Sequence, residues 1–167
     1  MPFAYYDRLS AARQRIYRRS DQITSIRLPD PAPLQPLARR LQKALAVEDR
    51  RETERICQRL ADGITRQLQV PAVRVLVLRA RPSDDWGELH GLYEPSDDGD
   101  LPRLSLWMRT ARLRKVVAHR TFLRTLLHEL CHHLDYERFD LEETFHTEGF
   151  YRRESSLFQQ LLPTPQA

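Results

Sequence analysis

An α+β fold is predicted by three observations. Apolar residues in the first 69 positions recur at helical spacing. Between residues 73 and 109 the pattern changes to short β-rich and alternating runs. Helical spacing then returns from about residue 121 to the end. At 167 residues, 41% hydrophobic and 30% charged, the chain reads as one soluble globular domain with enough length for a core of its own.

The elements follow in order. Residues 5–19 read as a helix, with Tyr5, Leu9, Ala12 and Ile16 on one face and arginines on the other. The stretch RLPDPAPLQP has four prolines and is predicted to be an extended connector. Residues 37–46 and 48–68 are two further helices; in the second, Ile56, Leu60, Ile64 and Leu68 repeat every four residues, and Pro71 ends it. VRVLVLRA, residues 73–80, is a strand bounded by prolines, and residues 89–93 form a second short strand containing Gly91. SDDGD, residues 96–100, is turn chemistry. Residues 104–109 alternate, with Leu104, Leu106 and Met108 on a buried face, so they form a third strand. Helices over residues 121–136 and 148–162 complete the domain, and PTPQA frays. The division is one domain over 1–167: a helical part over 1–69 and a core over 70–162. No internal repeat is present.

Composition excludes several classes. The two cysteines, Cys57 and Cys131, fall in helical stretches and make no disulfide framework. No apolar run approaches a membrane span, and the start carries no basic leader followed by an apolar block, so a cytoplasmic location is expected. Net charge is +4 with a pI near 9.4, and Lys43 and Lys115 are the only lysines among 27 cations. Acids interleave the N-terminal arginines, a pattern of solvated, salt-bridged faces more than of a phosphate-binding stripe; weak or no nucleic-acid binding is expected. Trp86 and Trp107 read as core or hairpin cover.

Four of the six histidines fall in HELCHHLDYERFDLEETFHTEG, residues 128–149. His128-Glu129-x-x-His132 is the pattern HExxH. On a helix, residues four apart share a face, so two imidazoles can reach one metal ion while the adjacent Glu polarises a water in the same cleft. Leu123, Leu126, Leu127, Leu130 and Leu134 form the opposite face, so His128 and His132 are not core histidines. A catalytic zinc needs a third protein ligand and an open position. A His six residues past the second is one solution, but Arg138 stands there and Asp135 replaces the usual glycine, which excludes the metzincin arrangement. His133 lies nearer the leucine side and reads as structural. His146 is the next histidine, after an interval long enough to return over the cleft; Glu142, Glu143 and Glu148 are carboxylate alternatives. Asp135 is placed either to orient a ligand imidazole or as an exposed helix-end acid. Cys131 is a packing residue. Glu154 falls in the inner stripe of Phe150, Leu157 and Leu161, so it is expected to be partly buried and paired, with an arginine or a histidine such as His133.

LLHELCHHLD followed by FHTEGFYRRESSLFQQL, with His146, Phe150 and Leu157 in a His-x-x-x-Phe pattern, resembles the small zincins of the SprT-like, YgjP-like and WLM group. GLYEPSDDGDLPRLSLWMR resembles that group's hairpin. The resemblance covers residues 70–162; Thr147 stands where many members have Gly or Asn, and a cysteine zinc ribbon is absent. It implies a zincin-like fold, Zn2+ held by His128, His132 and His146, and Glu129 as general base in peptide-bond hydrolysis by a metal-activated water. It also implies protein or peptide substrates, paired to the strand over 104–108 at the cleft edge. Tyr136, Tyr151 and Arg152 are oxyanion-stabilising candidates by proximity in sequence alone. The alternative is a metal-binding regulatory or nucleic-acid-associated module that does not cleave; retention of Glu129 favours the enzyme. No oligomeric state is assigned.

Overall fold

The computed structural model describes residues 1–80, 91–96 and 98–165. Trp86, Leu89 and the last two residues of the PTPQA tail lie outside the described residues. The fold is α+β: helices α1 (Ala11–Gln22), α2 (Gln35–Ala46) and α3 (Arg50–Gln67), strands β1 (Arg74–Ala80), β2 (Gly91–Glu94) and β3 (Arg103–Arg109), then α4 (His119–Glu137) and α5 (Glu148–Leu161).

The helix expected over residues 5–19 is two elements. A 3-10 turn, Ala4–Arg8, ends at Leu9, and Ser10 caps α1 by accepting from the Arg13 backbone N–H. A serine that can satisfy an orphan helix donor starts a new helix more readily than it continues one. The inner face of α1 also differs from expectation: Tyr17 and Ser20 are buried, whereas Ala12 is exposed. The proline-rich connector is extended only in part. A 3-10 turn spans Ala32–Leu34, and Pro36 lies in the first turn of α2, where its missing N–H costs no helix bond. The extended part runs along α5, where Ser156 and Gln160 side chains satisfy the backbones of Ile26 and Leu28. In α3, Asp49 caps the start and Ile56, Leu60 and Ile64 form the buried stripe.

The sheet order is β1-β3-β2, with β1 parallel and β2 antiparallel to β3. One face carries Val75, Val77, Leu104, Leu106 and Met108 into a core shared with Leu123, Leu126, Leu127 and Leu130 of α4. β3 is therefore the central strand. Its residues 103–106 are paired on both sides, so they cannot take up a substrate strand, and the expectation that the strand over 104–108 is the cleft's substrate-pairing edge is corrected. Chain order does not fix neighbours in a sheet: the parallel pairing of β1 places the last strand in the middle.

The two outer strands differ. α3 side chains occupy the open edge of β1: Gln58 accepts from the Val75 N–H and donates to the Val73 carbonyl, Glu54 accepts from the Val77 N–H, and Arg50 donates to the Val77 carbonyl. Such side-chain cover removes the unpaired row that makes an edge adhesive. β2 is the other edge, and it lies over α4. Gly91 makes that approach close: a Cβ there would meet Thr125 Cγ2 at 2.8 Å and Glu129 Cγ at 3.0 Å.

Candidate metal centre

α4 presents His128 and His132 one turn apart, and the loop after it brings His146 back beside them. Nε2 of His146 lies 3.1 Å from Nε2 of His128 and 3.0 Å from Nε2 of His132. These three histidines form a group that could hold a metal ion. Nitrogens about 2.0–2.1 Å from one ion at tetrahedral angles would be roughly 3.3 Å apart, so the spacing fits such an ion.

Hydrogen bonds at the far nitrogens orient two of the rings. His128 Nδ1 is 2.7 Å from Glu154 Oε1, and a carboxylate accepts, so Nδ1 carries the proton and Nε2 keeps its lone pair. Glu154 is buried and also takes a bond from Arg124, at 3.0 Å. The expected pairing of Glu154 holds, and its burial is more complete than the partial burial expected; its partners are Arg124 and His128, not His133. His132 Nδ1 is 2.8 Å from Thr144 Oγ1, which donates to Asp135 Oδ2 at 2.6 Å. With its one proton directed to Asp135, the Thr144 hydroxyl accepts from His132, so here too Nε2 faces the cluster bare. Asp135 in turn pairs with Arg153 at 2.9 Å, both side chains fully buried. Burial, with the neighbouring imidazoles, lowers the His132 pKa to about 3, and burial lowers that of His146, so both are neutral near pH 7.

Glu129 lies beside the cluster in a cleft also lined by Gly91, Leu92, Tyr93 and Tyr136. Burial raises its pKa to about 7, against the pull of His128 and a backbone hydrogen bond from Tyr93. Its surroundings are thus set by β2, an edge strand of the sheet among the described residues.

The remaining candidates separate clearly. His133 is structural, as expected: Nε2 donates to the Pro71 carbonyl at 2.7 Å, and Nδ1 accepts from the Tyr93 hydroxyl at 2.9 Å, which pins β2 to α4. Glu143, Glu142 and Glu148 pair with Arg13, Arg19 and Arg152 and stand outside the histidine group. Arg152 is thereby engaged on the surface, whereas the Tyr151 ring centroid is 5.7 Å from that of His146 and 6.1 Å from that of His128. Tyr136 lines the cleft. Cys131 is buried in the core, and burial raises its thiol pKa well above the ordinary value. Asp135 orients His132 indirectly, through Thr144.

Three contributors have no motif in the sequence. Thr144 and Arg153 are two, and Tyr5 is the third: its hydroxyl donates to the His146 carbonyl at 2.7 Å. Further contacts tie α1 to the start of α5. Asp21 accepts from the Gly149 N–H at 3.0 Å, and Ser20 and Thr147 hydroxyls lie 3.1 Å apart. Thr147 caps α5 by accepting from the Phe150 N–H. The cap fixes where the helix begins, just after His146.

Fold and site together define an α+β protein with three histidines clustered on and beside an HExxH helix. Comparison with protein-family models, curated proteins and solved structures found no match to this chain. Among the described residues, no helix is long and apolar enough to cross a membrane.

Proposed function

We propose that the protein is a zinc-dependent metallopeptidase that hydrolyses peptide bonds in extended protein segments. The observation that carries this reading is the convergence of three imidazole Nε2 atoms beside the buried carboxylate of Glu129. His128, His132 and His146 would hold the ion. Three neutral imidazoles suit zinc, which when bound supplies Lewis acidity and brings the pKa of water toward neutrality. Glu129 takes the proton from the attacking water and delivers it to the leaving amine; a carboxyl with a pKa lifted toward 7 can serve both as acceptor and donor. The substrate lies along β2, the edge strand at the cleft, through main-chain hydrogen bonds that tolerate many side chains. Leu92 and Tyr136 offer it apolar contact.

The test combines metal analysis with one substitution. The purified chain is expected to hold one zinc. Glu129→Gln is expected to keep metal and fold while losing hydrolysis of an unfolded test protein by about 10²- to 10⁴-fold. Unchanged turnover in the Gln variant would refute this role. Bound zinc without hydrolysis in the parent would favour the regulatory metal-binding module.

A further inference from the structure

Among the residues behind the histidine cluster, one line of contacts runs without a break from a ligand to another part of the chain. It starts at His132 Nδ1, passes through Thr144 Oγ1 at 2.8 Å and Asp135 Oδ2 at 2.6 Å, and crosses from Asp135 Oδ1 to Arg153 Nη2 at 2.9 Å. Arg153 then donates from Nη1 to the carbonyls of Ser20 and Ile23, each at 2.6 Å, and from Nη2 to Ser20 Oγ at 3.0 Å. These carbonyls lie at the C-terminal end of α1, where a cation is favoured; that of Ser20 also accepts from the Ile23 N–H that closes the helix.

Each link has a direction. Arg153 can only donate, so Asp135 accepts. Asp135 takes Arg153 at Oδ1 and accepts the Thr144 hydroxyl at Oδ2. Thr144 has spent its one proton and accepts from His132. The sequence of donors therefore leaves the His132 ring one tautomer, with Nδ1 protonated and Nε2 free. A ring without this anchor would populate both neutral tautomers and rotate about its side-chain torsions, and in one tautomer the nitrogen facing His146 carries a proton and cannot ligate.

We infer that Thr144 is a positioning residue that sets the metal affinity of the histidine cluster by locking the tautomer and orientation of His132, with Asp135 and Arg153 anchoring it to α1. The inference rests on the metal site proposed above. It gives a role to a threonine in the loop between α4 and α5, and to an arginine whose guanidinium is sealed from solvent at the junction of three helices.

The experiment uses the full chain with Thr144→Val, which keeps the shape and removes the hydroxyl, and Thr144→Ser, which restores it. Zinc affinity is measured by competition with a chromophoric chelator, and histidine tautomers by ¹⁵N NMR of the metal-free protein. The Val variant is expected to bind zinc about 10- to 100-fold more weakly, the range typical when an outer hydrogen-bond partner of a ligand is removed. The Ser variant is expected to recover most of that loss. In the metal-free parent, the His132 resonances are expected to report a protonated Nδ1, and in the Val variant a mixture. Parent-like zinc affinity in the Val variant, or a protonated Nε2 on His132 in the parent, overturns the inference. A parent that binds no zinc overturns instead the metal-site reading beneath it.

Discussion

Glu129 is held in a position that its own charge disfavours. The cleft strips water from the carboxylate and raises its pKa from 4.5 to about 7, so ionising it costs the folded state. This carboxyl binds its proton more tightly folded than unfolded. Its stabilisation is therefore full below about pH 4.5 and is lost as pH rises toward 7. In metal-free protein, Glu129→Gln lacks that loss. Its stability relative to the parent is expected to grow across this window by up to about 3 kcal/mol, because each pH unit between the two pKa values is worth about 1.4 kcal/mol. Denaturant titrations at several pH values check this; a difference that is flat with pH would show the carboxylate to be well solvated. The pKa values of His132 and His146 move the other way and are common to both proteins, so the comparison cancels them. What was legible among the residues follows chain geometry. His128, Glu129 and His132 are readable because one helix turn relates them. His146 needs only a loop that returns. Thr144 and Arg153 were not readable, because their partners sit on other elements and no period in the sequence marks them.

The helices were legible from their stripes, α3 most clearly, since Ile56, Leu60 and Ile64 face one core. Ser10, which divides the first predicted helix, is a local signal that the apolar spacing hid. The strands were legible, but their order was not: alternation tells which face of a strand is buried, not which strand lies beside it. That distinction matters for function. With β1 covered along its edge by Gln58, Glu54 and Arg50, β2 is, among the described residues, the edge left for another strand to add. A bound substrate analogue resistant to cleavage is expected to slow amide hydrogen exchange in residues 91–94 and to leave residues 74–80 unchanged. Protection at β1 instead would place the substrate on the wrong side of the sheet for this cleft.

As a whole, the molecule joins its N-terminal part to the site more closely than the resemblance over residues 70–162 implied. Gly149 is the seat of that joint: a Cβ there would come within 2.5 Å of the Asp21 carbonyl oxygen and 2.6 Å of that of Ser20. Backbone atoms cannot step aside cheaply. Gly149→Ala is expected to push α1 away from α5 and to destabilise the protein by about 1–3 kcal/mol, seen as a lower denaturation midpoint with an unchanged slope; a parent-like midpoint would mean that the joint is loose. Surface charge is also organised across the whole chain. Arg13, Arg19, Arg40, Arg50, Arg103 and Arg109 each pair with a glutamate. We therefore expect at most weak DNA binding that vanishes as salt approaches physiological strength, and hydrolysis that needs no DNA; tight binding that survives such salt in a titration would contradict this. The bond between Arg153 and Ser20 spans 133 positions of the chain. On a ribosome adding about 5–20 residues per second, α1 waits on the order of ten seconds for the guanidinium that closes its end. Until then the His132 anchor is incomplete, so the nascent chain acquires its fully braced histidine cluster only when its last helix has been made. If the centre cuts protein as proposed above, assembly in that order holds it back from the unfolded polypeptide nearest to it, its own.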